Sequence, residues 1–231
     1  MHGFTTRLGD LSVGSGDGSA PRSFELLSAL PGVEGRQFAT LNQVHGASVL
    51  VLEDGIDVIS TRPCGGHDAV VTARRDVMVG VKTADCVPIL LFDPGSGAVG
   101  AVHAGWRGTA LKVAAAAVER MRSVYGTDPA VLRAAIGPCI GPCCYTVGDE
   151  LVSAFEKSFG AGAFLSGPGS GHVRADLQGA NHAVLRGAGV ADANIGVVKM
   201  CTSCGEHLFF SHRRDRGDTG RQLAFIGRTA R

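Results

Sequence analysis

The chain has 231 residues, 45% of them apolar and 19% charged, with a formal net charge of +1. That balance excludes a disordered chain, a basic nucleic-acid-binding face and an electrostatic membrane partner, and the length suits one domain over 1–231 with a sizeable core. No stretch reaches the ~18 apolar residues of a membrane span. The opening "MHGFTTRLGD" also lacks the basic-then-apolar pattern of a secretory signal, so a cytoplasmic location is expected.

In chain order, the polar glycine-rich stretch 14–23 reads as a loop, and "FELLSALPG" reads as a short helix ended by Pro31 and Gly32. The segment 48–59, "SVLVLEDGIDVI", predicts two strands around an Asp-Gly turn, and "DAVVT" and "VMVGVKT" predict two more. "VPILLF" and "AVGAV" are apolar without alternation, as strands covered on both faces are, which puts them in the middle of a sheet. Leu111, Ala114, Ala115, Val118, Met121 and Tyr125 recur at helical spacing, with Thr109 as N-cap and Gly126 as the stop. Beyond them "VLRAAIG" reads as a strand, "VGDELVSAFEKSFG" and "ADLQGANHAVLRGAG" as helices, and "IGVVKMC" and "LAFIG" as strands. Strands cluster before residue 100 and alternate with helices after it, which predicts an α+β (mixed α/β) fold.

The seven cysteines cannot all pair with one another, and their spacing is unlike a secreted disulfide framework, so reduced thiols are expected. Cys86 precedes "VPILLF" and His103 ends the next strand. Pairing Phe92 with Ala98 around "DPGSG" places Cys86 opposite Ala104, next to His103, with the register open to a one-residue slip. His45, in "LNQVHGASV" at the start of a strand, offers a third ligand. One Cys, two His and an open position are the ligand inventory of a catalytic zinc site, while the same residue types also suit a buried thiol and a core histidine. Arg107, in the turn "GWRGT" ahead of a helix, is placed to bind an anion such as phosphate. Asp85, beside Cys86, is a candidate proton carrier or a residue that ties down the strand end.

Other groups remain open. Cys143 and Cys144 lie in the Gly/Pro-rich turn "GPCIGPCCY", as pocket residues or as part of a tight turn. The "CTSC" of Cys201 and Cys204 has the spacing of half a metal site, but no second half is evident, and two unrelated thiols are expected. "SHRRD" gathers His212, Arg213, Arg214 and Asp215 for either an ion-pair network or substrate contacts. His2, His67, His172, His182 and His207 are expected to be surface or core residues.

Taken together, "HGFTTRLG", "NQVHGASV", "DAVVT", "TADCVPILLFDP", "VHAGWRGT", "IGPCIGPCCYTVGDE" and "FFSHRRDRGDTGRQLAFI" resemble the YfiH, or laccase-domain, family of purine nucleoside phosphorylases, also called polyphenol oxidases. The resemblance implies a single compact domain of mixed β-sheet layers flanked by helices, with Zn2+ held by His45, Cys86 and His103. It implies phosphorolysis of adenosine, inosine and guanosine, with adenosine deamination as a second activity, and it makes Cys139 a pocket residue near the metal. Asn42, Gln43 and Arg107 join Cys139 as candidate substrate contacts; His45, Cys86, His103, Arg107 and Asp85 are the catalytic candidates. The chain departs from the family pattern at Asp10, where a second glycine is common, and in the short region that follows.

The expected partners are purine nucleosides and phosphate, with no nucleic acid and no membrane; the oligomeric state is open, with a monomer favoured. Two alternatives use the same residues. A copper polyphenol oxidase suits a single His₂Cys copper site but not a trinuclear cluster, since none of the eight histidines forms an H-x-H pair. A metal-free hydrolase would use Cys86 as nucleophile and His103 as base.

Overall fold

A computed structural model describes residues 1–8, 27, 29, 31–33, 36–56, 58, 64–167 and 172–228. Of the helix expected near residue 27, Leu27 is described and buried; the loop at 14–23 and the departure at Asp10 lie outside the described residues.

The strands are β1 (His2–Phe4), β2 (Gln37–Asn42), β3 (Val49–Val51), β4 (Cys64–Gly66), β5 (Ala69–Thr72), β6 (Val77–Thr83), β7 (Val87–Phe92), β8 (Val99–Ala104), β9 (Arg133–Ile136), β10 (Leu165–Ser166), β11 (Arg174–Ala175), β12 (Ile195–Val197) and β13 (Gln222–Ile226). The helices are α1 (Trp106–Ala110), α2 (Val113–Tyr125), α3 (Asp149–Phe159) and α4 (Leu177–Gly187). One sheet runs β1-β13-β6-β2-β4, a second runs β12-β9-β7-β8-β5-β3, and β10-β11 form a small ribbon. Parallel and antiparallel pairs mix in both larger sheets. The mixed α/β domain expected from the sequence is the one observed.

Its layering follows from strand alternation. Val87, Ile89, Leu91, Val102 and Ala104 point toward the helices and pack with Val118, Met121, Phe155 and Leu185. Leu90, Val99 and Ala101 point the other way and pack against Val79, Val81, Ala224 and Ile226 of the first sheet. The central β7–β8 hairpin is therefore sandwiched, as its unbroken apolar runs predict. No described helix is long and apolar enough to cross a membrane.

Four local expectations are corrected. The 108–126 segment is two helices, because Lys112 takes a left-handed φ of 60° between α1 and α2. Thr109 is no N-cap: it lies inside α1, fully buried, and its hydroxyl accepts a hydrogen bond from Asn181 Nδ2 of α4 at 2.9 Å. Gly126 does end α2, with φ 68°. Strand β12 covers only Ile195–Val197 of the expected "IGVVKMC". Strand β3 is followed by a turn at 54–55, but Val58 is not in a strand, and 57 and 59 lie outside the described residues.

Candidate functional site

The end of the β7–β8 hairpin carries the main cluster. Phe92 pairs with Val99 and Pro88 with His103, one residue out of the expected register. The slip has a chemical consequence. With Cys86 opposite Ala104, strand alternation would turn His103 to the other face; with Pro88 opposite His103, Cys86 falls two residues earlier on the same face. Asp93 helps fix the register. Its carboxylate accepts from Gly95 N at 2.8 Å, Ser96 Oγ at 2.6 Å and Thr127 Oγ1 at 2.7 Å, and the loop closes by Asp93 N donating to Ala98 O at 2.9 Å.

His45 arrives from the β2–β3 loop and is not at a strand start; it has a left-handed φ of 61°. One ligand atom each from His45, Cys86 and His103 lie within 4.8 Å of one another, a group that could hold a metal ion. The two imidazole rings meet edge to face, with centroids 4.9 Å apart. His103 is buried and His45 exposed, so the cluster has a closed inner end and an open outer one.

Asp68 organises this cluster. Fully buried, its carboxylate lies 2.8 Å from His103 Nδ1 and accepts from the backbone N–H of Val44 at 3.3 Å, His45 at 2.9 Å and Gly46 at 2.6 Å. One side chain thus orients the His103 ring, leaving Nε2 for the cluster, and holds the His45 loop in its uncommon conformation. Burial opposes the Asp68 charge, but His103 and the Gly46 and His45 amides outweigh it and lower its pKa. Burial likewise opposes a Cys86 thiolate, yet the adjacent His103 charge and hydrogen bonds from His103 and His45 bring its pKa down to about 6. In the same pair, burial is outweighed by Cys86 and Asp68, and His103 rises to about 9.

Gly105 is needed beside the cluster. A Cβ there would lie 2.9 Å from His45 Cδ2 and 3.1 Å from Cys86 Sγ. Gly105→Ala should therefore displace His45 and cost about 1–3 kcal/mol by overpacking. Urea unfolding would measure the cost, and unchanged stability together with unchanged metal content would contradict this reading.

The remaining candidates behave differently. Asp85, 8% exposed and with a left-handed φ of 91°, is fully engaged. Its Oδ1 accepts from Thr202 Oγ1 at 2.6 Å, its Oδ2 from Arg213 N at 2.7 Å and its backbone O from Ile140 N at 2.9 Å. These bonds tie the β6–β7 turn to two later loops. Gln43 is also committed, its amide exchanging hydrogen bonds with the Lys82 backbone at 2.7 and 2.8 Å. Asn42 is exposed at the end of β2. Cys139 is 2% exposed, and its thiol pKa is raised, chiefly by burial.

Arg107 lies within α1 and not in a turn ahead of it. α1 is only five residues long, so the helix-terminus argument for anion binding lapses. Its exposed guanidinium stacks over Trp106 at 4.3 Å and pairs with Glu150 at 2.9 Å. Tyr145, unassigned by the sequence, bridges the neighbourhood: Arg213 lies over its ring at 5.0 Å, and its pKa rises to about 12 through burial and the Cys86 charge. The "SHRRD" segment thus divides, Arg213 facing Tyr145 while Arg214 clamps Asp215 at 2.7 and 2.8 Å.

A second cluster overturns the reading of Cys201 and Cys204 as unrelated thiols. One sulfur each from Cys143, Cys144, Cys201 and Cys204 lie within 4.8 Å of one another, so this group too could hold a metal ion. A concavity of 520 Å³ borders it, lined by Cys139, Cys143, Cys201, Lys199, His182 and Asp176 among others; His45, Cys86 and His103 are not in its wall.

The fold and site define a layered α/β domain with thiol and imidazole groups that could hold a metal ion gathered at the end of a buried hairpin. The chain belongs to the family described as "Multi-copper polyphenol oxidoreductase laccase", which matches residues 2–229. It is 42% identical over 193 residues to the purine nucleoside phosphorylase YlmD of Geobacillus stearothermophilus, covering 80% of this chain and 70% of that protein. It is 40% identical over 192 residues to adenosine deaminase RL5 from an unknown prokaryotic organism, covering 80% and 73%. The crystal structure of Bacillus licheniformis YfiH superposes with a TM-score of 0.89 at 32% identity, covering 98% of this chain and 91% of that one.

Proposed function

We propose that the protein is a zinc-dependent purine nucleoside phosphorylase with adenosine deaminase activity. The observation that carries this reading is the gathering of His45, Cys86 and His103 around one point, with Asp68 fixing the His103 ring, in a chain similar to a named phosphorylase and a named deaminase. The donor set fits the ion: two imidazoles and a low-pKa thiol are borderline-soft ligands, and three protein ligands leave a position open. Zinc held there would supply a Lewis acid beside the exposed His45 edge.

The chain's own residues supply the rest. Asp68 keeps a proton on His103 Nδ1, so that Nε2 is the ligating atom. Arg107, and Arg213 on the Tyr145 ring, provide cationic groups for phosphate, while Tyr145 offers an aromatic face to the purine. Asp85 acts by positioning: Thr202 and the Arg213 amide occupy its carboxylate, so it ties these loops to Cys86. In phosphorolysis the N-glycosidic bond breaks and a phosphate oxygen bonds to C1′ of the ribose; in deamination water adds at purine C6 and ammonia leaves.

Copper oxidase chemistry has weaker support. Among the described residues the groups of three or more side chains that could hold a metal ion are one His₂Cys set and one Cys₄ set, and neither resembles a histidine-rich trinuclear centre.

Chromatography of adenosine incubated with the purified protein tests the proposal. Inosine is expected without phosphate, and adenine with ribose 1-phosphate when phosphate is added. Arg107→Lys should raise the phosphate KM about tenfold, as for one lost charge-assisted hydrogen bond of ~1.5 kcal/mol, with metal content constant. An unchanged phosphate KM would remove Arg107 from the phosphate site; oxidation of phenols without nucleoside turnover would replace the whole reading.

A further inference from the structure

The Cys143, Cys144, Cys201 and Cys204 cluster follows from topology. Strands β9 and β12 are parallel neighbours, so the segments after them leave the sheet at the same end. Their pairing continues past the strands: Cys139 and Cys201 form an isolated parallel bridge, and Thr202 N donates to Cys139 O at 3.0 Å. Each segment then turns sharply. Cys144 N and Tyr145 N both donate to Gly141 O at 3.0 Å, and Gly205 N donates to Cys201 O at 3.0 Å. The two turns face each other with their sulfurs inward.

Cys204 Sγ touches two sulfurs at once, Cys144 Sγ at 3.3 Å and Cys143 Sγ at 3.5 Å. All four thiols are free. A tetrahedral ion with Zn–S bonds of ~2.3 Å sets sulfurs about 3.8 Å apart, and the 4.8 Å limit on this group brackets that spacing. Gly141 N donates to Cys201 Sγ at 3.2 Å, the type of backbone contact that stabilises a ligating thiolate. Gly141 also closes tightly over the group: a Cβ there would lie 3.3 Å from Cys143 Sγ and 3.4 Å from Cys201 Cβ. With Cys143 and Cys204 exposed, an ion can load from solvent, and four sulfurs leave it no open position for chemistry.

We propose that Cys143, Cys144, Cys201 and Cys204 form a second, structural zinc site that staples the connection after β9 to the one after β12. The staple has a function-bearing position. The first segment carries Tyr145, and the second carries Thr202, which holds Asp85 at 2.6 Å, and Arg213, whose guanidinium lies over Tyr145. Zinc at the four cysteines thus fixes one wall of the His45/Cys86/His103 neighbourhood without touching that cluster.

Metal analysis of the full chain purified with zinc tests this independently of any nucleoside activity. Wild type should hold one more zinc per chain than Cys204→Ser, while His45→Ala retains the zinc of the cysteine site. If Cys204→Ser does not fold, native wild-type protein gives a second readout by alkylation and peptide mass mapping. Cys143 and Cys204, exposed as they are, should resist alkylation until a chelator removes the ion, and then all four cysteines should react. Cobalt substituted for zinc should add the charge-transfer absorption of a tetrathiolate site that Cys204→Ser abolishes. Immediate alkylation of Cys143 and Cys204 in zinc-loaded protein, a disulfide within the group, or iron in place of zinc would each overturn the proposal.

Discussion

Cys86→Ala should purify with one metal ion fewer per chain than wild type and lose at least about a thousandfold in kcat/KM, the rate equivalent of ~4 kcal/mol of transition-state stabilisation. The substitution leaves His45 and His103, and two protein ligands rarely retain zinc in water. The wild-type protein provides a companion readout. Once stripped of metal, its Cys86 should alkylate with a midpoint near pH 6, its depressed pKa, well below the ~8.5 of a free thiol; saturating zinc should suppress the reaction. The sign follows from the thiolate being the nucleophile: reactivity persists above the midpoint and falls below it. The two readouts separate the metal site from a cysteine hydrolase. In a hydrolase, Cys86→Ala would abolish turnover with metal content unchanged, and zinc would inhibit wild type. Full metal and turnover in Cys86→Ala would remove Cys86 from the chemistry altogether.

What the sequence made legible, and what it hid, divides along local and non-local lines. Strands β5 to β8 were legible because unbroken apolar runs bounded by polar turns leave little choice of structure, and α2 to α4 because their apolar residues recur at helical spacing. Cys86 and His103 stood out as chemical groups at the ends of such runs. Their register did not, since hairpin loops of five and six residues both close "DPGSG". The choice rests partly on Asp93 reaching Thr127, a contact spanning all of α2. The break at Lys112 was hidden for the same reason: Thr109 is held by Asn181, which arrives only when α4 packs. Cys143 and Cys204 meet through the parallel pairing of β9 and β12, with α3 and α4 intervening in the chain, so no local spacing announces the four-sulfur group. Asp68 was visible as the first letter of "DAVVT" but carried no mark of its role, because its partners come from the β2–β3 loop and from β8.

That hidden residue should nonetheless be among the most sensitive in the protein. Asp68→Ala removes the acceptor for the Val44, His45 and Gly46 amides and for His103 Nδ1, in a place with no exposure to water. Stranding a buried partner of a charged group, here His103, costs about 3–5 kcal/mol, and the His45 loop then loses what holds it at φ 61°. Asp68→Asn keeps the volume but leaves at most one amide oxygen to accept. Removing the carboxylate that orients a ligating histidine typically costs about 10–100-fold in metal affinity. Zinc competition against a chromophoric chelator should show that loss in Asp68→Asn, with urea unfolding showing the larger stability loss in Asp68→Ala. The pH dependence gives an independent handle. The folded pKa of Asp68 is lowered, so its stabilisation is complete above the ordinary carboxylate range and is lost as pH falls through the folded value. Wild type should therefore shed stability on acidification that Asp68→Asn has already lost, and the difference between them should shrink toward low pH. A constant difference across that range, or wild-type zinc affinity in Asp68→Asn, would mean that the carboxylate merely fills space and that the His103 ring is held by something else.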